Sequence, residues 1–348
     1  MTMGRINRGS VDGFAMERPL IDVCLDGSGS DMAQASKIKD RWIARAVGRE
    51  CREHARNVYM ASFFLPGRKR LAVQAVGAFV HMLEEALDVG AAGGSLGGAC
   101  ASGGELEGRV GMVLERLERM YGGEVCGPQI GSRAEDAVIA VMSGAIARYQ
   151  IPKQWFLDLV EALRVRATKL RWGTWASLQG YLRGRGGSVA LIMSAILGVT
   201  RSEAQERAVE MGMAVELTRI LRDLKKDAER NRIFLPLEDL IRFRYSEREL
   251  MRGVVNDNFV ELMRFEIERA RGMYRAAAEG IGWVGGDGSR LGAAAMAVLY
   301  SGTLRAIERR GYDVFGGEVK LSAGQRARRL VDAWRLARGS RVRGWEKR

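Results

Sequence analysis

Residues 218–236 read TRILRDLKKDAERNRIFLP, and this segment carries the most specific pattern in the chain. Its apolar residues recur at three- and four-residue spacing, which predicts the last part of an amphipathic helix from Arg201 to Arg230. Asp223 and Asp227 lie one turn apart on that helix, so two carboxylates can share a Mg²⁺ ion, which prefers hard oxygen ligands. Because arginine and lysine surround them, the same two acids are also typical of a surface lattice of ion pairs.

A second acidic segment, Glu84-Glu85-Ala86-Leu87-Asp88, lies about 140 residues earlier at the end of an apolar helix. Glu84 and Asp88 are four residues apart and Glu85 and Asp88 three apart, so three like charges crowd one helix face. A solvent-exposed acidic face is the simpler interpretation. Two acidic helices in one helical chain also favour a second interpretation, in which they face each other and bind a diphosphate through metal ions.

The composition predicts a single large all-α domain. Only 5 prolines interrupt 348 residues, and Ala, Leu, Met, Arg and Glu dominate the segments between glycine clusters. The net charge of +13 is spread among acids, and the chain lacks a recognisable nucleic-acid-binding motif, so we expect no nucleic-acid partner. Four widely spaced cysteines indicate neither a zinc site nor a disulfide framework, which fits a reducing cytoplasm.

Glycine-rich segments, and a C-terminal segment in which basic residues predominate, suggest the domain boundaries. We expect a mobile N-terminal extension at 1–36, a helical domain at 37–338 and a basic tail at 339–348. No apolar run of about 18 residues predicts a membrane span. The basic end from Arg326 onward is either a solvated helix or a peripheral contact with the inner membrane face. The glycine-dense residues 90–104 lack the strand-before, helix-after context of a phosphate-binding loop and are interpreted as a flexible connection.

Apolar periodicity and turn residues place the remaining elements. The predicted helices are Arg41–Phe64, Lys69–Asp88, Leu106–Tyr121, Ser132–Tyr149, Pro152–Leu170, Trp175–Leu197, Arg201–Arg230, Glu247–Glu279, Arg290–Arg309 and Ala323–Ala337. Their lengths and short connections are those of one helical bundle.

The first half of the chain resembles the squalene/phytoene synthase family. Residues 54–66, HARNVYMASFFLP, resemble the family's first helix, which reads H-S-K-S-F-Y and ends in a leucine-proline turn. Residues 70–88 resemble the segment K-R-x-A-x-x-x-x-Y-x-F-x-R-x-x-D-D-x-x-D. These blocks begin a resemblance that extends in the family's order from Cys51 to Trp334.

The second half continues the same resemblance. Residues 187–189, Gly-Ser-Val, stand for the family's A-G-[ST]-V-G. Residues 218–236 are the closest match, to L-T-N-I-L-R-D-x-x-x-D-x-x-x-G-R-x-Y-L-P. Tyr300, residues 311–315 and residues 319–322 resemble the closing helices.

The resemblance implies an isoprenoid-synthase-type helical bundle around a central apolar channel. The implied activity is a transferase that joins two farnesyl or geranylgeranyl diphosphates head to head into a squalene- or phytoene-type product, with release of diphosphate and with Mg²⁺ as cofactor. The implied catalytic residues are Tyr59, Tyr181 and Tyr300, although buried tyrosines more commonly serve packing alone. The residues implied to bind diphosphate are His54, Arg56, His81, Arg222 and Lys320. The implied metal ligands are Glu84, Glu85, Asp88, Asp223 and Asp227.

Several polar positions depart from the family pattern. Glu84 and Glu85 stand for two aspartates. His81 stands for an arginine, and a histidine side chain is mostly neutral at pH 7 unless a nearby carboxylate raises its pKa. Arg219 stands for an asparagine one turn before Asp223, and an ion pair between them competes with metal for that carboxylate. The other departures are Ala55 for serine, Gly77 and Phe234 for tyrosines, and Arg166 for aspartate.

These departures leave two hypotheses open. In the first, the chain is an Mg²⁺-dependent prenyltransferase whose arginines take over part of the metal's electrostatic role. In the second, it is a non-catalytic or altered-substrate relative that keeps the fold as a lipid-binding or assembly protein. The first requires that the helix ending at Asp88 faces the helix carrying Asp223 and Asp227 across an apolar cavity.

Overall fold

The computed structural model describes residues 29–88, 103–124, 128 and 132–339. Within those ranges the backbone forms helices, and the strand-like feature found there is an isolated bridge between Arg171 and Ile233. The prediction of an all-α fold is confirmed. No helix in the described ranges combines the length and apolar content that a membrane span needs.

The helices follow the predicted order, with differences at their ends and with one short helix, α10, that was not predicted. They are α1 (Gly29–His54), α2 (Arg56–Ser62), α3 (Gly67–Leu87), α4 (Gly103–Gly122), α5 (Ala134–Tyr149), α6 (Lys153–Thr168), α7 (Trp175–Leu182), α8 (Ser188–Leu197), α9 (Ser202–Glu229), α10 (Leu237–Arg242), α11 (Glu247–Met251), α12 (Asp257–Ile281), α13 (Ser289–Arg309) and α14 (Ala323–Ala337). A π-helical turn, Arg183–Gly187, joins α7 to α8. Helix α1 begins at Gly29, before the expected start near Lys37. The predicted extension, the glycine-rich connection and the basic tail lie mostly outside the described residues and stay predictions.

Two helices that were predicted to be continuous are each interrupted in the structure. The helix predicted at Arg41–Phe64 is interrupted at Ala55, whose φ of −129° and ψ of 52° are not helical. The helix predicted at Glu247–Glu279 is interrupted by a turn in which Gly253 has a φ of +68°. The side chain of Asn256 then caps the next helix. Apolar periodicity did not reveal either break, because the buried positions continue on both sides of it.

Buried apolar side chains form two clusters with a cavity between them. The first cluster is built mainly on α1, α3, α5, α6 and α8, and in it the rings of Phe79 and Phe156 meet edge to face at 5.9 Å. The second is built mainly on α7, α9, α12 and α13 and contains Phe259. Met296 and Tyr300 of α13 pack against both clusters. The prediction of a helical bundle around a central channel is thereby confirmed.

A backbone contact joins the π-helical turn to α9. A Cβ atom added at Gly212 would lie 2.5 Å from the carbonyl carbon of Gly186, and one added at Gly186 would lie 2.7 Å from the carbonyl carbon of Gly212. Both positions therefore require glycine for the close approach of the two backbones. This approach sets the distance between Arg185 on the turn and Glu216, which lies one helical turn beyond Gly212 on α9.

Candidate active site

A cavity of about 980 Å³ lies between the two clusters, within the usual size range of small-molecule sites. Its apolar wall consists mainly of Val58, Val80, Val189, Met193, Met211, Val215, Met296, Val319 and Leu321. Its charged and polar wall includes Arg52, Glu53, His54, Arg56, His81, Glu84, Arg185, Glu216, Arg219, Arg222, Asp223, Lys226, Tyr300, Glu318, Lys320 and Arg326. A cavity of this kind can hold an apolar chain that carries an anionic head group.

Arg185 connects the two acidic helices at the charged wall. Its Nη1 lies 2.6 Å from Oε2 of Glu216 on α9. Its Nε donates to Oε1 of Glu84 on α3 at 3.2 Å, and its Nη2 donates to the same oxygen. The side chain of Glu216 has no solvent exposure, and that of Arg185 is 12% exposed. One guanidinium group thus bridges carboxylates from helices α3 and α9.

Two more arginines extend this network along α9. Nη2 of Arg219 donates to Oε1 of Glu216 at 2.6 Å, while its Nη1 lies 3.9 Å from Asp223. The predicted pair between Arg219 and Asp223 is therefore the longer of the two contacts. Arg222 donates to both oxygens of Asp223, from Nε at 2.9 Å and from Nη2 at 2.5 Å. Such two-point contacts fix the orientation of both groups.

The ion pairs keep every member of the network charged. Burial by itself raises the pKa of Glu84, but the guanidinium groups of Arg185, Arg166 and Arg219 lower it to about 2. Burial also opposes ionisation of Glu216 and Asp223, and neighbouring arginines lower the pKa of each carboxyl group below its usual value. Near pH 7 the charged wall is a lattice of carboxylates and guanidinium groups.

The five predicted metal ligands do not converge. Glu84 and Asp223 line the cavity. Glu85 has a 70% exposed side chain that lies 3.3 Å from His81. Asp88 forms ion pairs with Arg230 at 2.9 Å and Arg232 at 3.3 Å, outside the cavity. Asp227 is buried, and burial raises the pKa of its carboxyl group. The five carboxylates therefore do not all line the cavity, because Asp88 turns towards arginines that follow α9.

The predicted diphosphate-binding residues do converge. His54, Arg56, His81, Arg222 and Lys320 all line the cavity. The rings of His54 and His81 stack at a centroid distance of 3.7 Å. Burial and the adjacent His54 ring lower the pKa of His81, so His81 is neutral at pH 7. Lys320 lies 2.6 Å from Glu318 at the same wall.

The three predicted catalytic tyrosines occupy different environments. Tyr300 lines the cavity, and burial raises the pKa of its hydroxyl. Tyr181 is buried behind the charged wall, where its hydroxyl donates to Oε1 of Glu216 at 3.2 Å. The Tyr59 ring packs edge to face on Phe63 at 5.0 Å and does not line the cavity. Tyr300 is thus the one of the three placed to touch a ligand in the cavity.

Comparisons with known proteins agree with this geometry. The sequence matches the squalene/phytoene synthase family model over residues 51–325. The chain belongs to the squalene/phytoene synthase family. It is 30% identical to a 15-cis-phytoene synthase of Synechococcus elongatus, over 82% of this chain and 88% of that protein. It is 32% identical to a phytoene synthase of Thermus thermophilus, over 88% of this chain and 97% of that protein.

Solved structures share the fold of this squalene/phytoene synthase family member. A dehydrosqualene synthase has a TM-score of 0.74 at 21% identity, covering 87% of this chain and 99% of its own. A squalene synthase from Alicyclobacillus acidocaldarius has a TM-score of 0.64 at 22% identity, covering 78% and 95%. The predicted family, the head-to-head condensation of prenyl diphosphates and the prenyltransferase class are confirmed.

The squalene/phytoene synthase family consists of divalent-metal-dependent prenyltransferases, so we tested whether this site fits such an ion. Across the described ranges, no group of three or more His, Cys, Asp or Glu side chains is close enough to bind one ion. Both oxygens of Asp223 accept hydrogen bonds from Arg222, and Glu84 and Glu216 share Arg185. The side chains in this arrangement therefore do not fit a metal bridge between α3 and α9.

Sequence reasoning missed the two residues at the centre of this family member's charged wall, Glu216 and Arg185. Glu216 and Arg219 are three residues apart on a helix, a spacing that favours an ion pair. Arg185 lies in the glycine-rich run Arg183-Gly184-Arg185-Gly186-Gly187, where a charged side chain among buried glycines was an available signal. Arg326 and Lys226 also line the cavity and were not identified as site residues.

Proposed function

We propose that this cavity binds two farnesyl or geranylgeranyl diphosphates and joins them head to head with release of two diphosphates. Loss of a proton then gives a phytoene-type hydrocarbon, and transfer of a hydride from an added nicotinamide donor gives a squalene-type one. The observation that carries this proposal is that the cavity has a cationic wall and an apolar wall. A prenyl diphosphate has the matching division into an anionic head and an apolar chain. The names of the phytoene synthases to which the chain is similar also support it.

The cations at the cavity wall bind and stabilise the diphosphate. Arg222 is held by Asp223, and Arg56 and Lys320 approach the same space from α2 and from the segment before α14. Negative charge develops on the leaving oxygen as the carbon–oxygen bond breaks, so fixed positive charge at that position lowers the barrier. His54 and His81 contribute hydrogen bonds to the same head group, since a neutral imidazole can donate one.

The apolar wall holds the prenyl chains and excludes water. Met193, Met211 and Met296 supply flexible side chains that adapt to a long isoprenoid. Excluding water protects the carbocation that remains when diphosphate departs. Tyr300, from the polar wall of the same cavity, touches the substrate. Tyr181 acts through Glu216, and Tyr59 supports the packing of α2.

We propose Mg²⁺ as the divalent ion, because diphosphate and carboxylate oxygens are hard ligands. When bound, it would supply positive charge to the diphosphate. Glu84, Glu85, Asp88, Asp223 and Asp227 stay the ligands predicted from sequence, and their arrangement does not fit a protein-held ion.

A turnover assay tests the function. Purified protein is incubated with farnesyl or geranylgeranyl diphosphate and Mg²⁺, and hydrocarbon product and released diphosphate are measured together. We expect both in the ratio of one hydrocarbon to two diphosphates. Substrate binding without release of diphosphate would instead favour the lipid-binding or assembly protein.

We also propose that α14 contacts an anionic membrane surface at the inner face. Val331 and Trp334 are 52% and 50% exposed, and Arg328 and Arg338 flank them. The guanidinium of Arg338 lies 4.0 Å from the centre of the Trp334 ring. Exposed tryptophan beside arginine is typical of helices at membrane interfaces. Arg326 on the same helix lines the cavity, so an apolar product would leave close to the lipid.

Vesicle sedimentation tests the membrane contact. We expect the protein to bind phosphatidylglycerol vesicles in preference to phosphatidylcholine vesicles. The double variant Arg328→Ser with Trp334→Ser is expected to lower that binding at least about tenfold, because a basic residue near the surface contributes about 1 kcal/mol and the exposed Trp334 ring adds apolar area that the interface buries. Trp283→Ser is the matched control, since Trp283 is 44% exposed at a different site. Equal binding of all three proteins to both vesicle types would refute the contact.

A further inference from the structure

Three arginines and three carboxylates form a network of ion pairs at the cavity wall. Arg185 pairs with Glu84 and Glu216, Arg219 pairs with Glu216, and Arg222 pairs with Asp223. Guanidinium groups already contact both oxygens of Glu216, both oxygens of Asp223 and Oε1 of Glu84, so a metal ion would compete with them for these carboxylates. The two acidic helices are therefore already joined by a cation that belongs to the protein, the guanidinium of Arg185.

The position of Arg185 is fixed by the backbone that carries it. The turn that carries it is fixed to α9 by the backbone contact between Gly186 and Gly212. Its side chain is 12% exposed, and it reaches α3 and α9 at once. Leaving both carboxylates would place a desolvated and unpaired guanidinium next to Arg219, which is strongly unfavourable for a buried charge.

We infer that Arg185 and Arg219 take the place of a protein-bound divalent ion between α3 and α9, so that this site binds the diphosphate group directly through side-chain cations. The inference rests on the proposed function, because it concerns how the same cavity holds its substrate. In this arrangement the permanent positive charges of Arg185 and Arg219 do what a bound divalent ion would otherwise do.

Other cations remain for the diphosphate itself. Arg56 and Arg326 line the cavity, and in the part of the chain that the structure describes neither forms an ion pair with a carboxylate. Burial and, to a smaller extent, the nearby Arg56 lower the pKa of Arg326, so these two cations repel each other at the cavity wall. Lys226 lines the same wall. A bound diphosphate relieves this repulsion between cations. Its binding therefore does not need a metal ion to make the wall positively charged.

Calorimetric titration with inorganic diphosphate provides the first test. We expect the dissociation constant measured in EDTA to lie within about tenfold of that measured in Mg²⁺, because the protein supplies the neutralising charge. Binding in Mg²⁺ with none in EDTA would overturn the inference and leave the proposed function intact. No binding in either buffer would instead overturn the proposed function.

A variant provides the second test. Arg185→Met leaves Glu84 and Glu216 facing each other without their shared cation, so Mg²⁺ alone is expected to raise its melting temperature by about 3 °C or more. The wild type and the matched control Arg164→Met are expected to show no shift. Arg164 also bridges two glutamates, Glu161 and Glu107, but at an exposed surface.

The double variant Arg185→Met with Glu216→Gln keeps the test decisive if the single variant does not fold. It removes one charge of each sign, so it leaves one ionised carboxylate, Glu84, at the bridge. We expect Mg²⁺ alone to raise its melting temperature, as in the single variant, because Glu84 stays ionised without its guanidinium partner. A wild type that Mg²⁺ stabilises as strongly as either variant would contradict the replacement of the ion by arginine.

Discussion

Replacing Gly212 with alanine tests the contact on which the charged wall depends. The new Cβ would lie 2.5 Å from the carbonyl carbon of Gly186 and 2.8 Å from Cβ of Ala190, whereas ordinary contacts begin near 3.4 Å. Because the nearest neighbour is backbone, the π-helical turn and α9 must separate by nearly 1 Å. Overpacking costs about 1–3 kcal/mol, and the higher helix propensity of alanine returns about 1 kcal/mol. Since backbone cannot rotate away as a side chain can, we place the cost at the upper end and expect a net loss of about 2 kcal/mol.

Urea unfolding followed by circular dichroism measures this loss. Gly111→Ala is the matched control, since Gly111 lies within α4 and a Cβ atom added there would meet no other atom within 4 Å. The control is expected to gain about 0.5–1 kcal/mol from helix propensity alone. Separation of Arg185 from Glu216 should also weaken binding of inorganic diphosphate in the Gly212 variant. Equal gains in stability for Gly212→Ala and Gly111→Ala would refute the close approach of the two backbones.

Three further predictions concern single side chains. Asp223→Asn is expected to lower turnover about a hundredfold, because Arg222 loses its two-point anchor beside the diphosphate; wild-type turnover would contradict this. Burial raises the pKa of Glu266 to about 8, with a further contribution from Asp239, so the folded protein keeps a proton that the unfolded chain releases. Stability therefore falls by about 1.4 kcal/mol per pH unit between pH 4.5 and 8, and Glu266→Gln should remove that slope in urea titrations. Burial raises the pKa of Cys51 to about 12, so iodoacetamide should label it only after unfolding, as measured by mass spectrometry.

Local sequence patterns were sufficient to predict most of the helices and part of the candidate active site. The spacing of apolar residues located most helices, and the ordered motifs identified the family, because both are written in neighbouring residues. The same reasoning placed Arg222 and Asp223 together, since adjacent and one-turn positions on a helix are fixed by its geometry. It also brought Arg56 and Lys320 to the cavity through the order of the motifs.

Tertiary structure decided which charges meet across the cavity. Arg185 and Glu84 are 101 residues apart, and their contact exists because glycines let the π-helical turn lie directly on α9. Asp88 follows Glu84 by one turn, yet it binds Arg230 and Arg232 instead of facing inward. Sequence alone determined that this chain is a helical bundle of the squalene/phytoene synthase family with acids on two helices. Packing alone determined that arginines hold those acids, because ion pairs between distant segments depend on distances that only the folded chain sets.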